Sequence, residues 1–185
     1  VFSFVHIQSD AMYYRENICV VVSDDINDNP IDFDEVWCEE YGQTYVDWQE
    51  VNVSLAEYAG QEVYIGLYHY GSGSNANGIK VDNVKLVAGE GGGEEGGEEL
   101  ASEFSFDFED GTLTGLRAFQ GEGATGNNWQ VTADGDTYYA GQANSKGIYS
   151  VSWDENSYTQ FYPNNYVVTE QAYQITENSV LSWFM

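Results

Sequence analysis

Apolar and polar residues alternate along much of this chain. Val51, Val53 and Leu55 stand two apart, and Val81, then Val84 and Leu86, nearly do so, which is the period of a strand with one buried face. In residues 1–88 the pattern predicts strands in VFSFVHI, ICVVV, VWCEEYG, DWQEVNVSL, EVYIGLYHY and IKVDNVKLV. Turn-forming clusters separate them: DDINDNP at 24–30, EYAGQ at 57–61 and GSGSNANG at 71–78. After residue 100 the pattern starts afresh with FSFDFEDG, NNWQVTADGDTYYAG, GIYSVSW, TQFYPNNYVVTE and SVLSWFM. Short strands at this spacing predict an all-β, antiparallel sandwich.

Between these series lies GEGGGEEGGEE, residues 89–99. Gly brings backbone freedom and the Glu side chains repel one another, so this stretch has no apolar surface to bury and reads as a linker. The expected organisation is therefore residues 1–88, a linker over 89–99, and residues 100–185. Each flanking part offers too few strands to cover its own sheet faces, so neither is expected to be complete by itself.

Composition sharpens the picture. Fifteen Tyr, nine Phe and five Trp favour strands. The net charge of −26 repels phosphate backbones and anionic lipid, which excludes nucleic acid as a partner. No run reaches the roughly 18 apolar residues of a membrane-spanning helix, so no membrane insertion is expected. Cys19 and Cys38 are the only cysteines, and either one bridge or two buried thiols fits them. Recognisable catalytic motifs are missing, and His69 in LYHY reads as a satisfied strand residue, so no enzyme is expected.

Several pieces recur in an order that carries information. FEDG (108–111), GNNWQ (126–130), AGQANSKGIYSVSW (140–153), PNNYVVTE (163–170) and ITENSVLSWFM (175–185) resemble the opening of a cleaved-adhesin module of gingipain-associated haemagglutinins. YYRENICVVVSDD (13–25), DWQEVNVSLAEYAGQEVYIGLYHY (47–70) and GIKVDNVKL (78–86) resemble the close of the same module. The resemblance implies a jelly-roll sandwich, similar in shape to MAM and carbohydrate-binding modules, with its halves in swapped order. SVLSWFM read into VFSFVHI is continuous in the expected way. The chain is thus expected to join the C-terminal half of one module to the N-terminal half of the next, with partner halves supplied by the same chain or by neighbouring copies.

What the resemblance implies for chemistry is a structural Ca2+. Its ligands would be Glu109 and Asp82, with loop oxygens near Gln142 and Asn144. The family's Asp-rich loop is GATG (123–126) in this chain, and Asp134 and Asp136 of the later DGD are the substitute candidates. Asn83 stands where a second Asp is usual, which takes one charge from the set. Hard oxygen ligands from distant strands suit Ca2+. Trp129 and Trp153 read as core anchors. Tyr138, Tyr139, Tyr158, Phe161 and Tyr162 are candidates for a sugar-stacking surface. The function expected is a non-enzymatic adhesion or structural module, extracellular or on the cell surface, used in tandem or as a filament through exchange of halves. Its expected partners are other copies, neighbouring modules, glycans or host surface proteins. The alternative is a carbohydrate-binding module accessory to a secreted hydrolase.

Overall fold

In a computed structural model the chain is described over residues 16–26, 33–40, 50–71, 78–88, 101–132, 137–139, 142–154 and 156–184. The side chains of residues 40, 137–139, 142–144 and 184 are outside that description, as are the first predicted strand, VFSFVHI, and the Gly/Glu segment 89–99.

The described residues form antiparallel strands and one short 3₁₀ turn, Ala56–Tyr58, with no α-helix among them. The first part of the chain contributes β1 (Glu16–Ser23), β2 (Asp34–Glu40), β3 (Glu50–Ser54), β4 (Glu62–Gly71) and β5 (Gly78–Val87). The second contributes β6 (Phe104–Phe106), β7 (Leu116–Gln120), β8 (Gln130–Val131), β9 (Thr137–Tyr139), β10 (Gln142–Ser145), β11 (Ile148–Val151) and β12 (Trp153–Asp154). It continues with β13 (Thr159–Gln160), β14 (Asn164–Thr169), β15 (Tyr173–Gln174) and β16 (Val180–Phe184).

Two sheets pack face to face as the expected β-sandwich. One has the order β2-β1-β4-β14-β7 with β15 also on β4, and the other has the order β3-β16-β5-β11-β8 with β6 also on β5. Both sheets mix the two parts of the chain. β4 pairs with β14, and β16 lies between β3 and β5, so the segments before and after the linker complete each other within one chain.

The reason is burial. Ile18, Val20, Val22, Ile65, Leu67 and Val167 of the first sheet face Ile79, Val81, Leu86, Ile148, Leu181 and Trp183 of the second in one apolar cluster. Neither series could leave water without the other. β1 is buried along its whole length because its other face, with Cys19 and Val21, has its own cover. There Tyr70, Tyr68, Tyr166 and Phe119 form a row, and Phe33 lies against the Phe119 and Tyr166 rings.

Cys19 on β1 and Cys38 on β2 face each other in register and are joined as a disulfide. The bridge ties an edge strand to the sheet across a sequence separation of 19. Chain-entropy reasoning gives such a closure about 3 kcal/mol. Reduction is therefore expected to lower the melting temperature by roughly 6–12 °C for a chain of this size. An unchanged melting curve with both thiols titrated as free would contradict this.

Candidate metal centre

The acidic site begins with a break in the strand pattern. Val81, Asp82 and Val84 are all buried, so β5 does not alternate cleanly through VDNV, and Asn83 takes a left-handed φ of 52°. Up to Val81 the strand pairs with β11, whereas from Val84 onward it pairs with β6. At this changeover the Asp82 side chain is fully buried.

Two loops close around it. In FEDG, Phe108 is buried with a left-handed φ of 58°, and the Gly111 N–H donates to the Phe108 carbonyl at 2.9 Å. The turn thereby divides its two carboxylates. Asp110 accepts from the Thr112 N–H and hydroxyl, both at 2.8 Å, and these bonds hold its pKa below the ordinary value. Glu109 instead reaches the segment after β10, accepting from the Lys146 N–H at 3.0 Å. Gly147 allows that segment to come close, since a Cβ there would stand 2.5 Å from the Val81 carbonyl oxygen.

Ser145 links the two carboxylates. Its Oγ lies 2.8 Å from Asp82 Oδ2 and 2.9 Å from Glu109 Oε1. A hydroxyl has one proton and can donate it to only one of these oxygens at a time. When that proton goes to Asp82, Glu109 Oε1 keeps the Lys146 N–H as its donor, and Lys146 Nζ lies 3.4 Å from the Glu109 carbonyl oxygen. Burial pushes the Asp82 pKa from 3.8 up to about 6, while bonds from Ser145 and the Asn83 N–H pull it down and the charges of Glu109 and Asp107 push it further up. The donor set is all oxygen, has one buried and one exposed carboxylate, and comes from three distant stretches of chain, which fits a hard divalent cation.

The structure thus brings together Glu109 and Asp82 of the predicted set, and it adds Ser145. Gln142 and Asn144 fall on β10, whose backbone leads into Ser145, with their side chains outside the described residues. Asp134 and Asp136 also lie outside them. A second group of ligand-type atoms, on Cys19, Glu35 and Cys38, offers no thiolate because the sulfurs are bonded to each other.

Tyr158 is 80% exposed on a turn and meets Trp153 edge-on, Tyr162 is 55% exposed, and Phe161 lies against Gly126. Trp153 is thus only half-buried, whereas Trp129 is the core anchor expected, 3% exposed with its indole N–H on the Asn165 carbonyl at 3.0 Å. Tyr138 and Tyr139 lie on β9 with side chains outside the described residues. The Tyr68–Tyr166 and Tyr166–Phe119 pairs stack at 7° and 3°, so these rings spend their faces on one another.

A polar constellation that the sequence reading did not assemble lies between the sheets. Glu16, His69, Ser150, Ser152 and Asn165 are all 0% exposed. His69 Nε2 is 2.6 Å from Glu16 Oε2, and its Nδ1 is 2.7 Å from Ser150 Oγ. Ser152 donates to the other Glu16 oxygen. Asn165 Nδ2 donates to Ser150 Oγ at 2.8 Å and to the Asn127 carbonyl at 3.0 Å, while its Oδ1 accepts from Gln120 Nε2 at 2.8 Å. Burial alone would raise the Glu16 pKa, but His69, Ser152 and the Gly78 N–H outweigh it and hold the carboxyl below its ordinary value.

Comparisons of the chain with protein-family models, with curated proteins and with solved structures return no match.

Proposed function

We propose that this chain is a non-enzymatic adhesion or structural module of the cell exterior, stabilised by Ca2+ held at Asp82, Glu109 and Ser145. The single observation that carries the reading is the meeting of two carboxylates from distant stretches, Asp82 and Glu109, at one hydroxyl, Ser145. A bound cation offsets the charge of the two carboxylates and pins β5, the FEDG turn and the segment before β11 to one another. The disulfide is compatible with an extracellular setting, and among the described residues no helix is long and apolar enough to cross a membrane. The resemblance to cleaved-adhesin modules supplies the adhesive role, with neighbouring copies, host surface proteins or glycans as partners.

In an array, the β4·β14 and β3·β16 junctions are where halves could be exchanged between copies, because each joins a strand from before the linker to one from after it. A filament built in this way dissociates into closed single chains only by unfolding.

Calcium stabilisation is tested by melting the chain in excess Ca2+ and in chelator. At a Ca2+ concentration about 100 times the dissociation constant the folded state gains about 2.7 kcal/mol. That corresponds to roughly 5–11 °C for this length. The effect also depends on pH. Between 3.8 and about 6 the folded metal-free chain retains a proton on Asp82 that the unfolded chain has released. Metal-free stability from this group therefore falls as pH rises through that window, and Ca2+, which favours the ionised form, reverses the loss. Equal melting temperatures in Ca2+ and in chelator at neutral pH would refute the metal reading.

A further inference from the structure

We infer that Ser150 and Asn165 become joined by an internal ester bond, which the chain forms on itself with release of one ammonia. The constellation between the sheets has the parts for one acyl transfer, all of them buried. A Ser hydroxyl, a His ring and a Glu carboxylate stand in a row at 2.7 and 2.6 Å. This is the arrangement that activates a hydroxyl as a nucleophile. Ser150, His69 and Glu16 are nevertheless wholly buried, so the acyl group within reach must belong to the chain. One is in contact: the carboxamide of Asn165, whose Nδ2 lies 2.8 Å from Ser150 Oγ.

The hydrogen bonds also assign the roles. With the His69 proton on Nε2 and directed at Glu16, Nδ1 is free to take the Ser150 proton. Ser150 Oγ attacks Asn165 Cγ, and the Oγ–Cγ bond forms. The negative charge that develops on Asn165 Oδ1 faces Gln120 Nε2, which already donates to that atom at 2.8 Å. As the tetrahedral centre collapses, the Cγ–Nδ2 bond breaks, the proton held on His69 passes to Nδ2, and ammonia leaves. Glu16 keeps the ring in place and offsets its charge while it carries two protons. Gln120 is exposed at the rim, and its amide is the donor in this contact and not the acyl group attacked. The product is an ester from Ser150 to an aspartyl acyl group at 165, with no other reactant required.

The bond would tie β11 in one sheet to β14 in the other, inside a site closed to the water that would hydrolyse it. It is independent of the calcium reading, since it shares no residue with the acidic cluster.

Intact-mass spectrometry of the purified, denatured full chain tests it, together with peptide mapping. The expected result is a mass lower by one ammonia than the sequence with its disulfide, and a linked peptide pair carrying Ser150 and Asn165 that hydroxylamine separates. Ser150→Ala and His69→Ala are expected to retain the full mass. Mapping is essential because Asn77-Gly78 can also lose ammonia, through a succinimide. Recovery of separate, unmodified Ser150 and Asn165 peptides from the folded wild-type chain after prolonged incubation overturns the inference, as does assignment of all the ammonia loss to Asn77.

Discussion

Replacing Glu16 by Ala is expected to destabilise the chain by about 3–5 kcal/mol, because several donors lose their acceptor at about 1–3 kcal/mol each. The carboxylate accepts from His69, Ser152 and the Gly78 N–H, and the buried His69 and Ser152 have no water to turn to when it is gone. On a chain of this length the loss corresponds to a fall in melting temperature of roughly 6–20 °C. Glu16→Gln keeps the volume and one acceptor oxygen, so it should cost clearly less. Urea unfolding followed by circular dichroism measures both. If Glu16→Ala unfolds within about 0.5 kcal/mol of wild type, as a change on an open surface would, the network does not hold the sheets as described.

Trp183→Ala should fall in the same range, about 3–5 kcal/mol, because a large buried ring leaves a cavity as well as losing its own transfer energy. Trp183 is 0% exposed and meets the Trp37 ring edge-on at 5.8 Å across the sandwich. Its strand, β16, comes from the end of the sequence yet lies between β3 and β5 from the beginning. The substitution therefore probes how the two parts of the chain join. A chain whose urea midpoint and slope are unaffected by Trp183→Ala would show that β16 does not occupy the core of its own molecule.

The sandwich was legible because the long strands announce themselves. β3, β4 and β5 alternate or nearly alternate, β16 is apolar on nearly both sides, and β1 reads as a continuous apolar run because both of its faces are covered. The two-residue strands β8, β12, β13 and β15 were not legible, since their pairing depends on what lies beside them and not on their own residues. That neither series is complete followed from counting uncovered faces, and that they are complementary halves came from the resemblance. Which strands meet at the junctions followed from neither.

Of the acidic site, Asp82 and Glu109 came from the resemblance alone, while the irregular step from Val81 to Val84 was already a sign of the bend that aims Asp82. Ser145 carried no sign of its own, because its position depends on how closely Gly147 approaches β5. The buried constellation had a subtler signature. His69 continues the inward series Val63, Ile65 and Leu67, Asn165 is in step with Val167, and Ser150 is in step with Ile148. A polar residue in step with a core face has to find partners inside. Applied strand by strand, that rule would have gathered His69, Ser150 and Asn165 from sequence, although not their mutual distances.

The central claim is that Asp82 and Glu109 form one cation site, and calorimetric titration of the metal-stripped full chain with Ca2+ tests it most directly. One binding event per chain is predicted, weakened by at least about 10–100-fold in Asp82→Asn and in Glu109→Gln. No heat of binding, or binding that both variants leave unchanged, would contradict it.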